Sequence, residues 1–206
     1  MRLVVKTYTF GYGTADVIAL ILQCKSIMNM TSEEKRLITD CRIAVIGAIE
    51  FIDNIKAELK QLGFESIQII SRSDEMPMPS IVDVIAENVN EGSFCLSKTA
   101  TVPLILPFDF VNGAGVIVVM PEDERNLLCK PELRQWAATY MAGYCAFWNV
   151  EGCDWLRDSL SDIRNSVTSS AALKTAAHIC ARIAANIAVG REVKHFPRFY
   201  FCKNLE

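Results

Sequence analysis

A single glycine stands where a nucleotide-binding loop would place three. Residues 41–47 read CRIAVIG, so an apolar run ends at Gly47 and leads into an amphipathic stretch. In a βαβ nucleotide site, the pattern G-x-G-x-x-G lets the backbone approach a phosphate at the start of a helix. Gly47 can form the tight turn, but Ile49 and Ile52 occupy the other two glycine positions, and Glu50 adds a charge that repels phosphate. These residues favour a Rossmann-like core without a pyrophosphate clamp.

Polar residues follow the next apolar run, SIQII at 66–70. The end of a second strand commonly carries an acid that holds ribose hydroxyls. Because Ser71, Arg72 and Asp74 come directly after this run, Asp74 is a candidate ribose ligand and Arg72 a candidate phosphate ligand. A solvated loop is an equally good interpretation of these residues.

The surrounding pattern predicts the elements that position these side chains. A strand, the amphipathic helix DNIKAELKQLG and a second strand within about thirty residues form a βαβ unit. VDVIAEN at 82–88 predicts a third strand, and 102–120 predicts a hairpin that turns through 112–115. We therefore expect an α/β fold: a Rossmann-like, mainly parallel sheet with helices on both faces and this antiparallel hairpin. The 206 residues form one domain, with an arm and helices in 1–40 and the core in 41–206.

Composition argues against nucleic-acid binding and a membrane span, and it indicates a large buried apolar surface. The net charge of −3 gives no nucleic-acid footprint. A hydrophobic fraction of 51% and a mean hydropathy of +0.22 fit a buried parallel sheet or an apolar face covered by a partner subunit. Prolines and glycines interrupt the apolar run at 101–120, so we expect no membrane span. Eight cysteines without a C-x-x-C pair or zinc spacing indicate a protein of the reducing cytoplasm, with no thiol singled out as a nucleophile.

The second half of the chain carries two further features. His178 and His195 lack a third ligand at metal spacing, so packing or surface roles are favoured over metal binding. A helical stretch is rich in aromatic residues. It predicts core or a dimer interface, with a pocket for a planar substrate as the alternative; its residues are Trp136, Tyr140, Tyr144, Phe147 and Trp148.

Five segments together carry a family resemblance. They are, in order, RIAVIGA, QLGFESIQII, VDVIAEN, VPLILPFDFVNGAGVIVVMP and AAHICARIAANIAVGREVKHFPRFYF. This ordered set resembles the E1/ThiF/MoeB superfamily in truncated form, over roughly positions 41–200. The short core and many thiols are similar to those of an E1-like enzyme of methanogens that acts in assembly of the iron-guanylylpyridinol cofactor of [Fe]-hydrogenase.

The resemblance implies ATP-dependent adenylation of a small-molecule carboxylate, with Mg²⁺, in a homodimer, and a thiol-bearing acceptor protein for the acyl group. It implies nucleotide contacts at Gly47, Ala48, Ser71, Arg72, Asp74 and Asn88, catalytic cations at Arg36, Arg72 and Lys98, and metal ligation at Glu87 and Glu91. Arg36 precedes the first strand, where family members place an arginine that reaches across a dimer.

The chain departs from the family in ways that keep two other hypotheses open. The glycine-rich loop keeps only Gly47, and the segment that carries an N-x-x-R-Q motif and a downstream lysine is missing. A nucleotide-binding protein without adenylation chemistry would fit these losses. So would a pseudo-E1 subunit that completes the site of another enzyme.

Overall fold

A computed structural model describes residues 30–71, 82–88, 101–124, 128 and 130–204. The helices are α1 (Ser32–Asp40), α2 (Ile49–Leu62), α3 (Leu133–Phe147), α4 (Asp154–Asp158), α5 (Leu160–Arg164) and α6 (Ser170–Ala188). The strands are β1 (Ile43–Gly47), β2 (Ile67–Ser71), β3 (Val84–Glu87), β4 (Leu104–Asp109), β5 (Gly113–Val119) and β6 (Tyr200–Lys203).

The strands form one six-stranded sheet in the order β2-β1-β3-β4-β5-β6. The first four strands run parallel, with Ile43 of β1 opposite both Ile67 of β2 and Val84 of β3. The last two strands pair antiparallel, β5 on β4 and β6 on β5. This arrangement confirms the expected α/β class, with a mainly parallel sheet and an antiparallel hairpin.

Helices cover both faces of the sheet, as the continuous apolar runs of β1 and β4 require. On one face, α1, α2 and α6 pack on alternate strand residues such as Val45 and Ile105. On the other face, α3, α4 and α5 pack on the intervening residues, such as Ile46 and Leu106. Alanines dominate the buried side of α6, which lets this helix lie close to the strands and to α2.

Two helix ends follow directly from local sequence. Thr31 and Glu34 form a capping box at the start of α1, because each side chain accepts the backbone N–H of the other residue. Gly63 ends α2 with φ +98°, a left-handed conformation that favours glycine. Both helix ends therefore depend on residues only a few positions apart.

The β4–β5 hairpin turns earlier than its glycines suggest. The turn lies at 110–112, where Val111 has φ +67°, and Gly113 and Gly115 are strand residues of β5. A Cβ on Gly113 would lie 2.4 Å from Cη2 of Trp155. These glycines therefore serve tight side-chain packing on the sheet, and the expected turn at 112–115 is corrected to 110–112.

Some expected elements fall outside the described residues, namely a short strand or arm at 3–9, a helix at 14–29 and a short helix within 91–100. Among the described helices, none has the length and apolar character needed to cross a membrane.

An ion pair joins the beginnings of the neighbouring strands β1 and β3. The guanidinium of Arg42 donates from Nε and Nη2 to both carboxylate oxygens of Asp83, at 2.9 and 2.7 Å. The backbone N–H of Arg42 donates to the same carboxylate, and the N–H of Asp83 donates to the carbonyl of Arg42. The Arg42 guanidinium holds the pKa of Asp83 below its usual value.

We predict that Asp83→Asn lowers the urea midpoint of unfolding slightly at pH 7, because the pair is about half exposed and partly screened. A carboxyl whose pKa is lowered in the folded state stabilises above its unfolded pKa, and this stabilisation is lost as pH falls. The difference between the two proteins should therefore shrink as pH falls below the unfolded pKa of Asp83 and through its lowered folded pKa, as followed by circular dichroism. Asp40→Asn is the control, because Asp40 makes only a looser, more exposed pair with Arg36.

Candidate functional site

The strand order reverses between β1 and β3, at the edge where the parallel strands end. From β1 the chain passes through α2 to β2 on one side, whereas β3 lies on the other side of β1. Ligands of open α/β sheets bind in the crevice outside the carboxyl ends of the strands at such a switch point. Here that position is marked by Gly47 at the end of β1 and by Glu87 and Asn88 at the end of β3. We call it the carboxyl edge.

Asn88 packs directly against Gly47. A Cβ on Gly47 would lie 3.1 Å from the Cβ of Asn88 and 3.3 Å from Cδ1 of Phe51. The backbone N–H of Asn88 donates to the carbonyl of Ile46, and its side-chain amide donates to the carbonyl of Pro107 at 3.0 Å. Position 47 therefore needs glycine because of the neighbouring strand, whether or not a phosphate binds there.

The first turn of α2 opens on this edge without a side-chain cap. The N-cap residue is Ala48, which offers no hydrogen-bond acceptor to the first N–H groups of the helix. Ile49 is 69% exposed. The carboxylate of Glu50 accepts the hydroxyl of Ser170, the first residue of α6, so it bridges the amino ends of the two helices.

Asp109, at the end of β4, is a buried side chain that accepts several hydrogen bonds at this edge. It is 2% exposed, and its carboxylate accepts the N–H groups of Val111 and Ser169, both at 2.6 Å. Burial raises the pKa of Asp109, and the negative charge of Glu50 adds to this effect, while the two N–H donors and Arg134 oppose it. The bond to Ser169 fixes the start of α6 over the end of β4.

Arg134 completes this buried group. The side chain is 3% exposed and lies within α3. Its Nε donates to the carbonyl of Asp109 at 2.6 Å, and its Nη2 donates to the carbonyl of Val167. Arg134 therefore ties α3 to the end of β4 and to the segment that leads into α6. We call Asp109, Arg134 and Ser169 the β4 knot.

The structure brings together only part of the residue set expected from the sequence. Gly47, Ala48, Glu87 and Asn88 meet at the carboxyl edge, and the backbone of Ser71 lies beside Gly47 in the β1–β2 register. Arg72, Asp74, Glu91 and Lys98 lie outside the described residues.

Arg36 lies at the other edge of the sheet. It belongs to α1, which leads directly into the start of β1, and its guanidinium pairs with Asp40 at 3.7 Å. Glu34 of the same helix pairs with Arg191, just beyond the end of α6. Within one protomer, Arg36 is therefore separated from Gly47 by the length of β1.

The donors at the carboxyl edge suit the chemistry of Mg²⁺. This ion prefers oxygen ligands and commonly takes only one or two carboxylates, with the rest supplied by water and substrate phosphates. Glu87 and Asn88 offer such oxygens, and both residues are buried. Within the described part of the chain, no three His, Cys, Asp or Glu side chains form a metal-binding group.

Two histidines take part in side-chain pairs away from this edge. His178 of α6 contacts Glu58 of α2 through Nδ1 at 2.9 Å and accepts from Nε of Arg182 at 2.8 Å, which ties α2 to α6. His195 contacts both carboxylate oxygens of Asp123 through Nδ1, at 2.8 and 2.9 Å. These contacts agree with the packing and surface roles that the sequence favours.

The described cysteines are mostly buried thiols. Burial raises the pKa of Cys41 to about 11 and raises that of Cys180 further. Interaction between the neighbouring thiols raises the pKa of Cys145 and lowers that of Cys153. Cys41 and Cys180 are thus poor nucleophiles, because little of either thiol ionises near neutral pH.

The sequence carries no local motif for the β4 knot. Asp109, Arg134 and Ser169 do not stand in a pattern that predicts a function. A usable signal existed: Asp109 ends an apolar strand next to the predicted third strand, and an ionised side chain at that position needs a partner.

Comparisons with known proteins assign no family. No protein-family model matches the chain, and no curated protein matches it. Among solved structures, the chain is similar to one described as a heterocyclase in complex with substrate and cofactor, at 6% sequence identity and a TM-score of 0.46. The alignment covers 87% of this chain but only 22% of that one. A resemblance at this level assigns neither family nor activity.

We predict that Arg134→Met destabilises the fold by about 3–5 kcal/mol, because it leaves Asp109 as a buried carboxylate without its cation. Equilibrium urea unfolding at pH 7 would measure the loss. Arg164→Met is the matched control, since Arg164 is exposed, and its midpoint should be nearly unchanged. Equal midpoints for the two variants would contradict a structural role for the β4 knot.

Proposed function

We propose that this protein binds ATP with Mg²⁺ at the carboxyl edge and adenylates a small-molecule carboxylate. The observation that carries the proposal is the reversal of strand order at Gly47, Glu87 and Asn88, since this is where open α/β sheets bind nucleotides. The uncapped first turn of α2 supports it, because free N–H groups at a helix start favour phosphate. All five segments that resemble the E1/ThiF/MoeB superfamily contribute to this one sheet or to helices packed on it.

The reaction needs positioning and charge neutralisation more than covalent participation of the protein. A substrate carboxylate attacks the α-phosphate of ATP, pyrophosphate leaves, and an acyl-adenylate forms. We assign phosphate contact to the backbone of Gly47 and Ala48, and metal binding to Glu87 with Asn88. Ser71 and Asp74 would contact the ribose.

The cations and the remaining acid complete the proposed set. Arg72 and Lys98 would neutralise charge on the phosphates, and Glu91 would be a second metal ligand. Arg36 would act from a second protomer, because its own carboxyl edge lies too far away. A thiol on a partner protein would then accept the acyl group. The guanylylpyridinol carboxylate is the first acid to test, together with a panel of small aromatic and aliphatic acids.

A second candidate function has its own supporting observation. Asn88 packs against Gly47 at the place where a phosphate would approach, and Glu50 puts a negative charge at the start of α2. Both features weaken a phosphate site. They favour a pseudo-E1 subunit that binds an active enzyme and does not hydrolyse or transfer nucleotide itself.

The first measurement is calorimetric titration with ATP and Mg²⁺, with NAD⁺ as the control ligand. We expect micromolar binding of ATP and no binding of NAD⁺, because the loop lacks the glycines of a dinucleotide clamp. Pyrophosphate exchange with the acid panel then tests adenylation. Binding without exchange would reject the enzyme for those acids, and absence of both would favour the pseudo-E1 subunit.

We predict that Glu50→Gln strengthens ATP binding by about two- to fivefold, the effect expected for one charge near a helix start. The glutamine amide oxygen can still accept the Ser170 hydroxyl, so the helix contact is kept. Glu65→Gln makes the same charge change beyond the far end of α2, at an exposed position, and should leave the affinity unchanged. Identical affinities for both variants would place the nucleotide away from α2.

A further inference from the structure

Two cysteines flank the turn that joins α3 to α4. Cys145 lies in the last turn of α3, and Cys153 is the N-cap residue of α4. Both thiols are free and both are buried, with 5% and 7% exposure. The two thiols interact with each other, and this interaction is the largest influence on the pKa of each. They therefore form a pair, unlike the isolated buried thiol of Cys180.

The backbone between the two cysteines brings them together. The carbonyl of Cys145 accepts the N–H of Val150 at 2.9 Å, and Asn149 has φ +49°, so α3 ends in a Schellman motif that reverses the chain. Gly152, with φ +76°, makes a second bend directly before Cys153. These bends return the chain to the end of α3. The pairing of the thiols is thus a property of the turn itself and needs no distant contact.

The two thiols differ in acidity and in position. Their interaction lowers the pKa of Cys153, which burial and the charge of Asp154 oppose, and it raises the pKa of Cys145, to which burial adds. Cys153 also lies just beneath the surface, because Gly152 and Asp154 on either side of it are exposed. A Cβ on Gly152 would meet no atom within 4 Å, so the backbone beside this thiol is open. The thiolate, the reactive form of cysteine, therefore forms first at Cys153.

We propose that Cys145 and Cys153 form a reversible oxidation site for small hydroperoxides, with Cys153 as the attacking thiol and Cys145 as the resolving thiol. The sulfur of Cys153 attacks one oxygen of the hydroperoxide, the O–O bond breaks, and the other oxygen leaves with the thiol proton as an alcohol or water. Cys153 is then a sulfenic acid. The sulfur of Cys145 attacks the sulfur of Cys153, and the hydroxyl group leaves with the proton of Cys145 as water. The two thiols together lose two electrons, which the hydroperoxide gains, and a thiol reductant reverses the reaction.

The resulting disulfide would join the end of α3 to the start of α4. The ring of Trp155 in α4 packs against Gly113 of β5, and Ser159, just beyond α4, accepts the side-chain amide of Asn112 at 2.9 Å. Oxidation would therefore fix the element that supports the hairpin turn. Because a cross-link mainly restricts the unfolded chain, the oxidised protein should be more stable than the reduced protein.

The test is the mass of one peptide after the full chain has been treated with hydrogen peroxide. Trypsin releases residues 135–157, in which Cys145 and Cys153 are the only cysteines, and oxidation should lower the mass of this peptide by two hydrogen atoms. Cleavage after Glu151 separates the two cysteines, so the two fragments should stay joined until dithiothreitol is added. The oxidised protein should unfold at a Tm about 5 °C higher, reversibly. No nucleotide is present, so the result is independent of the proposed function.

Single variants assign the two roles. Cys145→Ser should stop the reaction at the sulfenic acid of Cys153, which a 1,3-dione captures as a stable adduct. Cys153→Ser should reduce oxidation within this peptide at least about tenfold, because the remaining thiol rarely ionises. Cys41→Ser is the matched control, since Cys41 is as buried as Cys153, and it should form the disulfide as the original chain does. Circular dichroism checks that each variant folds.

Three outcomes would overturn the proposal. The first is a peptide 135–157 that keeps both thiols at peroxide concentrations that oxidise methionines elsewhere in the chain. The second is a disulfide from Cys145 or Cys153 to a different cysteine. The third is sulfenic acid captured on Cys145 while Cys153 stays reduced. The mapping in the original chain needs no variant, so the first two outcomes are decided even if a substitution disturbs the fold.

Discussion

One buried carboxylate determines how the layers of this protein meet. Asp109 ends β4 and accepts two backbone N–H groups, one from the hairpin turn and one from the start of α6. Arg134 reaches the same strand end from the opposite helical layer. If one of these partners were removed, a charge or a carbonyl would stay buried without a hydrogen-bond partner. The free-energy cost of that exceeds the net stabilisation that the hydrogen bonds provide. The strained backbone of Val111 is tolerated because this carboxylate holds its N–H in place.

The same interactions shape the candidate site. By fixing Ser169, the β4 knot places Ser170 where it can donate to Glu50, and so the amino ends of α6 and α2 are held side by side. Asn88 is likewise engaged with Pro107 and packed on Gly47. The carboxyl edge thus combines the topology of a ligand site with polar groups that already serve the fold. Binding of a phosphate would have to compete with contacts that the protein makes to itself.

Much of the architecture could be predicted from the sequence, because it is encoded locally. The continuous apolar run of β1, the periodicity of α2, and the caps at Thr31 and Gly63 each depend on residues a few positions apart. The β4 knot could not be predicted in this way, since Asp109 and Ser169 are 60 positions apart and neither carries a local motif. The glycines at 113 and 115 mislead a local prediction of the hairpin turn, because Gly113 is required by close packing against Trp155, a residue distant in the sequence. For the aromatic residues of α3, the sequence does not distinguish a position in the core from one in an interface, because either location buries the same side chains.

The position of β6 in the sheet has a consequence for synthesis of the chain. Its residues 200–203 pair with residues 113–116 of β5, so this edge of β5 stays open while the intervening residues are translated. At about 5–20 residues per second, roughly 4–17 s separate the two strands. During that interval an apolar strand with free N–H and C=O groups is available to other nascent chains or to chaperones. Slower translation of the residues between β5 and β6 would prolong this exposure.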